Sequence, residues 1–191
     1  HWTDLTALYV AADASNLYVY VDLPAYYSGS DGQIGLIIET DSQPNSGGST
    51  DPWGNDIDFT FTSINSFTSA LPLLPDYVIR GDISTKGGWT ELRTWNGADW
   101  NTGASANWGG ISGGALIGTH VAYSYNQGVE FSIPLTDIGS PNPADIKLQF
   151  FGTQEGETKG AFDTLMNDDQ TVGWDDATTL SKLVSVPLAV D

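Results

Sequence analysis

Runs in which apolar and polar residues alternate, or in which β-branched and aromatic residues cluster, recur along the chain, each bounded by Gly, Asn, Asp or Pro. That period-two pattern with turn punctuation predicts strands. The opening is a hairpin: residues 5–12 (LTALYVAA), a turn at Asp13-Ala14-Ser15-Asn16, then residues 17–23 (LYVYVDL), with Leu17, Val19 and Val21 on one face and Pro24 as the stop. Residues 34–40 (IGLIIET) are nearly continuously apolar, as expected of a strand buried on both faces or central in a sandwich. Residues 57–62 alternate cleanly. Further strands are expected at 77–83, at 90–95 with a short partner after Ala98, and at 115–125, 129–135, 146–152 and 183–190. The Asn96-Gly97 pair marks a tight hairpin turn with positive φ.

No stretch repeats itself and no helix of any length is predicted. About ten short strands in one chain indicate an all-β fold, a two-sheet antiparallel β-sandwich of immunoglobulin-like or jelly-roll-like form. With 191 residues the chain suits a single domain over residues 1–191. The long segments 41–55 and 103–114 each lie between strands and are read as loops, not linkers.

Composition sharpens this. Of the 24 acids, 19 are Asp and 5 are Glu, and 22 Gly and 9 Pro accompany only 4 Lys, so turn formers outnumber helix formers. Aromatic residues at 12% argue against disorder. The net charge of −18 makes nucleic acid and anionic lipid poor partners, whereas neutral molecules and cations fit. No apolar run reaches the roughly 18 residues of a membrane span, so no membrane insertion is expected. The absence of Cys excludes disulfides and thiolate metal sites. A chain beginning at His1 without a charged, apolar leader reads as a processed product or an excised module.

The acids are not spread evenly. In the loop after the apolar strand, Asp41, Gln43 and Asn45 alternate oxygen-bearing side chains before Gly47-Gly48, and Asp51, Asn55, Asp56 and Asp58 follow. Oxygen ligands at alternate positions of a turn suit Ca²⁺, although Ser46 stands where an EF-hand has Gly and no Glu closes the loop. The plainer alternative is a solvated loop of Asx turns. Against it, no Lys or Arg lies between Glu39 and Asp58 to neutralise five carboxylates. A second segment holds Asp163, Asp168, Asp169, Asp175 and Asp176, either as another ion site or as turn caps.

Tryptophan is the other unusual feature. Trp53, Trp89, Trp95, Trp100, Trp108 and Trp174 lie in or beside Gly-, Asn- and Asp-rich segments. An exposed indole suits the CH face of a pyranose ring, with neighbouring Asp, Asn and Gln for its hydroxyls, and Tyr77 joins the candidate ligand-binding set. For any single Trp, packing over a sheet edge is the alternative, and Trp95 and Trp100 flank the Asn-Gly turn and can pair across it. Catalysis has less support. The two histidines are His1 and His120, the carboxylates lie in hydrophilic loops unsuited to a general acid near neutral pH, and neither a phosphate loop nor a zinc cluster is present. The chain is read as non-enzymatic.

Three segments, LTALYVAADASNLYVYVDLP (5–24), GVEFSIPLTDIG (128–139) and GWDDATTLS (173–181), together resemble DOMON-like, carbohydrate-binding-module-family-nine-like sandwiches, as in accessory domains of amylopullulanases and glucodextranases. The resemblance implies a non-catalytic module for a polysaccharide or oligosaccharide of α-glucan type, starch or pullulan. It also implies structural calcium, a covalently linked catalytic domain and an extracellular or cell-surface location. It maps an ion-holding loop onto Asp41, Gln43, Asn45 and Asp56. Two alternatives stand beside it: a calcium-binding spacer without sugar affinity, and a haem-binding domain, which needs Met166 and His120 in one pocket.

Overall fold

The structure is a computed structural model describing residues 3–23, 25–26, 32–41, 43, 45–61, 72–82, 88–101, 106–112, 115–117, 120–124, 127–154, 158–171 and 175–185. Its strands are β1 (Thr3–Asp4), β2 (Ala7–Ala12), β3 (Asn16–Asp22), β4 (Ala25–Tyr26), β5 (Gly32–Glu39), β6 (Ile57–Phe59), β7 (Tyr77–Asp82) and β8 (Gly88–Thr94). They continue as β9 (Ala106–Ser112), β10 (Ala115–Ile117), β11 (Val121–Ser124), β12 (Gly128–Pro134), β13 (Lys147–Gln154), β14 (Asp163–Thr164), β15 (Thr178–Leu180) and β16 (Val184–Ser185). Among the described residues the helical elements are two 3₁₀ turns, Leu135–Ile138 and Pro143–Asp145.

The fold is an all-β antiparallel sandwich. Its hydrogen-bonded ladder runs β14-β13-β5-β7-β8-β9-β10-β11-β12-β3-β2, with β16 also on β13. The ladder bends so that its two halves face each other across one core. Leu17, Val19 and Val21 of β3 and Val129, Phe131 and Ile133 of β12 enter that core from one side. Ile34, Leu36 and Ile38 of β5 and Leu148 and Phe150 of β13 enter it from the other. Phe131 meets Phe150 between the layers at 6.3 Å. At the open edges, the Leu5 N–H donates to Asp163 Oδ2 at 2.8 Å, tying the start of the chain to β14.

The alternation of β3 therefore shows one buried and one half-buried face, whereas every residue of β5 is buried. The second burial of β5 comes from a separate core on the outer face of the β13-β5-β7-β8 half. There Ile37, Val78 and Phe151 pack against Ile57, Phe59, Phe61, Leu73, Trp100 and Leu180. The cover is made by residues 45–61 and by the parallel pair β6–β15. Close approach is built in: a Cβ on Gly35 would sit 2.1 Å from the Phe151 ring, and one on Gly48 would sit 2.4 Å from Trp100.

Three sequence expectations change. Of the single strand expected over 115–125, residues 115–117 and 121–124 form two paired strands, β10 and β11, and residues 118–119 lie outside the described residues. The Gly-rich stretch 103–114, read as a loop, contains β9, because glycine leaves the backbone free to pair even where no side-chain pattern marks a strand. β6 ends at Phe59, short of the expected 62, since Phe61 leaves it for an isolated bridge to Leu73. Thr62, Ile83, Tyr125 and residues 186–190 of the expected strands lie outside the described residues.

Candidate functional site

Arg80, from the middle of β7, points into the second core and has no exposure. A buried guanidinium requires a counter-charge, and Asp51 supplies it at 2.6 Å. Gln33 Oε1 and Asn55 Oδ1 accept from Arg80 Nη2 at 2.6 and 3.3 Å. Burial pulls the Arg80 pKa down, while the charge and hydrogen bond of Asp51 pull it up. The other oxygen of Asp51 accepts the Trp53 and Asn55 N–H groups and closes the turn. The idea that no base neutralises the acidic loop is thus corrected: Arg80 lies outside the loop in sequence but inside it in space. Asp51 is spent on that pair and is not a free cation ligand.

Over Arg80 lies Trp53, its ring centroid 5.4 Å from the guanidinium, with Arg93 at 4.8 Å from the same ring. Trp53 donates its indole N–H to Glu91 Oε2 at 3.2 Å, and Glu91 pairs with Arg93 at 2.9 Å. Trp89 tilts against Trp53 at 6.0 Å, and both indoles are half-buried. The result is a two-indole surface flanked by an ion pair. Glu91, Arg93 and Trp89 reach it because alternate β8 residues share the outer face. Sequence reading missed Glu91 and Arg93. The cue was the alternation W-T-E-L-R-T-W around them.

The other aromatic candidates lie elsewhere. Trp100 is only 5% exposed and donates its indole N–H to Thr50 O, so its faces belong to the second core; as a ligand-stacking residue it is corrected. Trp95 is half-buried and meets Trp100 edge-on at 5.5 Å across the Asn96-Gly97 turn, the pairing foreseen as the alternative. Gly97 has φ 95° there. Tyr77 is half-buried against the first core. Trp108 lies on β9 where the β8–β9 register shifts. Trp174 falls outside the described residues.

A cluster of three carboxylates takes shape at the other end of β5. Glu39 closes that strand, and Asp76 stands one residue beyond the Ile38–Tyr77 pair on the neighbouring strand. One carboxylate oxygen from each of Glu39, Asp41 and Asp76 lies within 4.8 Å of the others. Burial, then the Asp41 charge, push the Asp76 carboxyl above its ordinary value, against the pull of hydrogen bonds from the Thr40 hydroxyl and N–H. Lys147 stands opposite Glu39 on β13. Of the expected carboxylate ligands, Asp41 joins this group. Its Oδ1 also accepts from Gln43 N–H and the Ser46 hydroxyl, an Asx turn. Gln43 and Asn45 are exposed, the latter at φ 60°. Asp56 is exposed, its backbone tied to Lys159 and Thr178.

The second acidic segment serves the backbone. Asp168 accepts from the Ser181 N–H at 2.6 Å, the Lys182 N–H at 2.7 Å, the Ser181 hydroxyl at 2.8 Å and the Gln149 amide at 2.9 Å. Burial raises its pKa, but those donors outweigh burial and hold the carboxyl below its ordinary value. Asp169 accepts the Thr179 N–H, and Asp163 those of Leu5 and Thr164. Asp175 pairs with Lys159. Of the two roles expected for Asp163, Asp168 and Asp169, ion ligand or turn cap, the hydrogen bonds are those of caps that hold β14, β15 and the segment after β15.

His120 precedes β11, its Nδ1 3.2 Å from Ser132 O. Met166 lines a groove with Leu8 and Val10 of β2. β12 and β3 stand between β11 and β2 in the ladder. No family model matches the chain, and no curated protein or solved structure matches it.

Proposed function

We propose that this chain is a non-catalytic carbohydrate-binding module for an α-glucan of starch or pullulan type, stabilised by calcium. In this reading it is borne on the outside of the cell by a larger glycoside hydrolase. The observation that carries the reading is the Trp53–Trp89 pair: two half-exposed indoles in contact, with Trp53 held by Glu91 and Arg93 and Trp89 tilted against it. Rings fixed before the ligand arrives lose little conformational freedom on binding. Glu91 accepts and Arg93 donates, so one pair serves both senses of a sugar hydroxyl. The acidic surface suits a neutral polymer.

Calcium belongs at Glu39, Asp41 and Asp76. A hard dication bound by three carboxylates draws its remaining ligands from backbone oxygen and water, and its charge offsets the burial and the Asp41 repulsion that raise the Asp76 pKa. Affinity gel electrophoresis tests the sugar reading: retardation in gels containing pullulan or soluble starch, and none in xylan or mannan. Absence of retardation on every polymer refutes it. A spacer domain remains the second reading, supported by the same carboxylate cluster, and it requires a chelator-sensitive melting temperature with no sugar effect.

A further inference from the structure

The outer faces of the two layers differ. One lies under the second core, whereas on β2, β3 and β12 the residues Tyr9, Ala11 and Glu130 are exposed, and Tyr18 and Tyr20 half-exposed. Register aligns them in rows: Tyr9 opposite Tyr20 opposite Glu130, and Ala11 opposite Tyr18 opposite Ser132. Tyr9 is 60% exposed, and its ring meets that of Tyr20 at 5.8 Å. Tyr18 and Tyr20 are held by their hydroxyls, which donate to Asp13 Oδ2 at 2.9 Å and Gln127 O at 3.1 Å.

We infer that this tyrosine face is a second glucan-contact surface, on the layer opposite the Trp53–Trp89 pair. The ligand class rests on the carbohydrate-binding reading above; the location does not. Ala7 and Ala11, on the same side of β2 as Tyr9, add little bulk above the sheet. The charged groups of the face, Asp13, Asp22 and Glu130, are carboxylates that only accept hydrogen bonds, with no Lys or Arg among the outward residues of β2, β3 and β12. The complement of flat rings edged by acceptors is a flat CH face edged by hydroxyl donors, which is a pyranose. A cationic peptide would meet these rings by cation–π contact, but its attraction to the −18 surface is screened by salt, which the salt arm of the test separates from sugar binding.

The test is retardation in pullulan gels, at low and at high sodium chloride, for the whole chain and for variants. Tyr9→Ala removes the exposed ring, and Tyr20→Leu removes the platform while keeping an apolar contact; melting temperatures confirm folding. The inference expects each to weaken binding at least threefold, and residual retardation of the Trp53→Ala/Trp89→Ala variant to vanish when Tyr9→Ala is added. Wild-type retardation of both tyrosine variants overturns the inference and leaves the tryptophan reading standing. No retardation of the parent chain overturns both. Retardation that collapses in high salt marks an ionic contact and overturns the inference.

Discussion

Removing the Asp51 carboxylate strands a guanidinium in the second core. Arg80 and Asp51 side chains both have no exposure, so no water replaces the lost partner. Breaking one side of such a pair costs about 3–5 kcal/mol. Asp51 also accepts the N–H groups of Trp53 and Asn55, each worth about 1 kcal/mol net. Asp51→Ala is expected near the upper end of that range. For a chain of this size each kcal/mol moves the melting temperature by roughly 2–4 °C, so the loss is about 10–20 °C. Urea unfolding of Asp51→Ala, Arg80→Met and the double variant forms a cycle. Removing both charges leaves no unpaired ion, so the double variant should be more stable than the sum of the single losses predicts, by at least about 2 kcal/mol. Additive single losses, or an Asp51→Ala cost below about 1 kcal/mol, refute the buried-pair argument.

Calcium at about a hundred times its dissociation constant should stabilise the fold by roughly 2.7 kcal/mol, and a chelator should reverse it; melting that is indifferent to both removes the cation site. The Asp76 pKa is raised, so in the metal-free chain its contribution is full at low pH and is lost as pH rises through the raised value. Calcium binds the ionised form, and its affinity measured by titration calorimetry should therefore rise with pH over that range. The Asp168 pKa is depressed, so its contribution is full above about 3.9 and is lost as pH falls through the folded value. Asp168→Asn should flatten this acid limb of an unfolding curve and cost roughly 1–3 kcal/mol at neutral pH. Trp100→Ala should cost about 3–5 kcal/mol in urea unfolding, the signature of a core residue.

The strands were legible where side chains alternate. Leu17, Val19 and Val21 named their own face, and the unbroken apolar run of β5 announced a strand covered on both sides. β9 was hidden because its glycines carry no pattern. The site was harder to read for a different reason. Glu39 and Asp76 end and precede two strands that could each be found, yet nothing in a sequence says that strands 38 residues apart pair, and only that pairing brings the carboxylates together. Arg80 shows the same limit, since its partner Asp51 lies 29 positions away. Clustering of acids in sequence left Asp163, Asp168 and Asp169 open between an ion site and turn caps, and only the fold shows the backbone N–H groups that they accept.

The carbohydrate reading is tested most directly by following the indole N–H resonances of the chain during titration with a linear α-glucan oligosaccharide. The account predicts saturable shifts for Trp53, whose N–H bonds Glu91, and for Trp89 beside it, while Trp100, bonded to Thr50 in the core, stays in place. Indole resonances that remain still for both Trp53 and Trp89 at saturating sugar would contradict it.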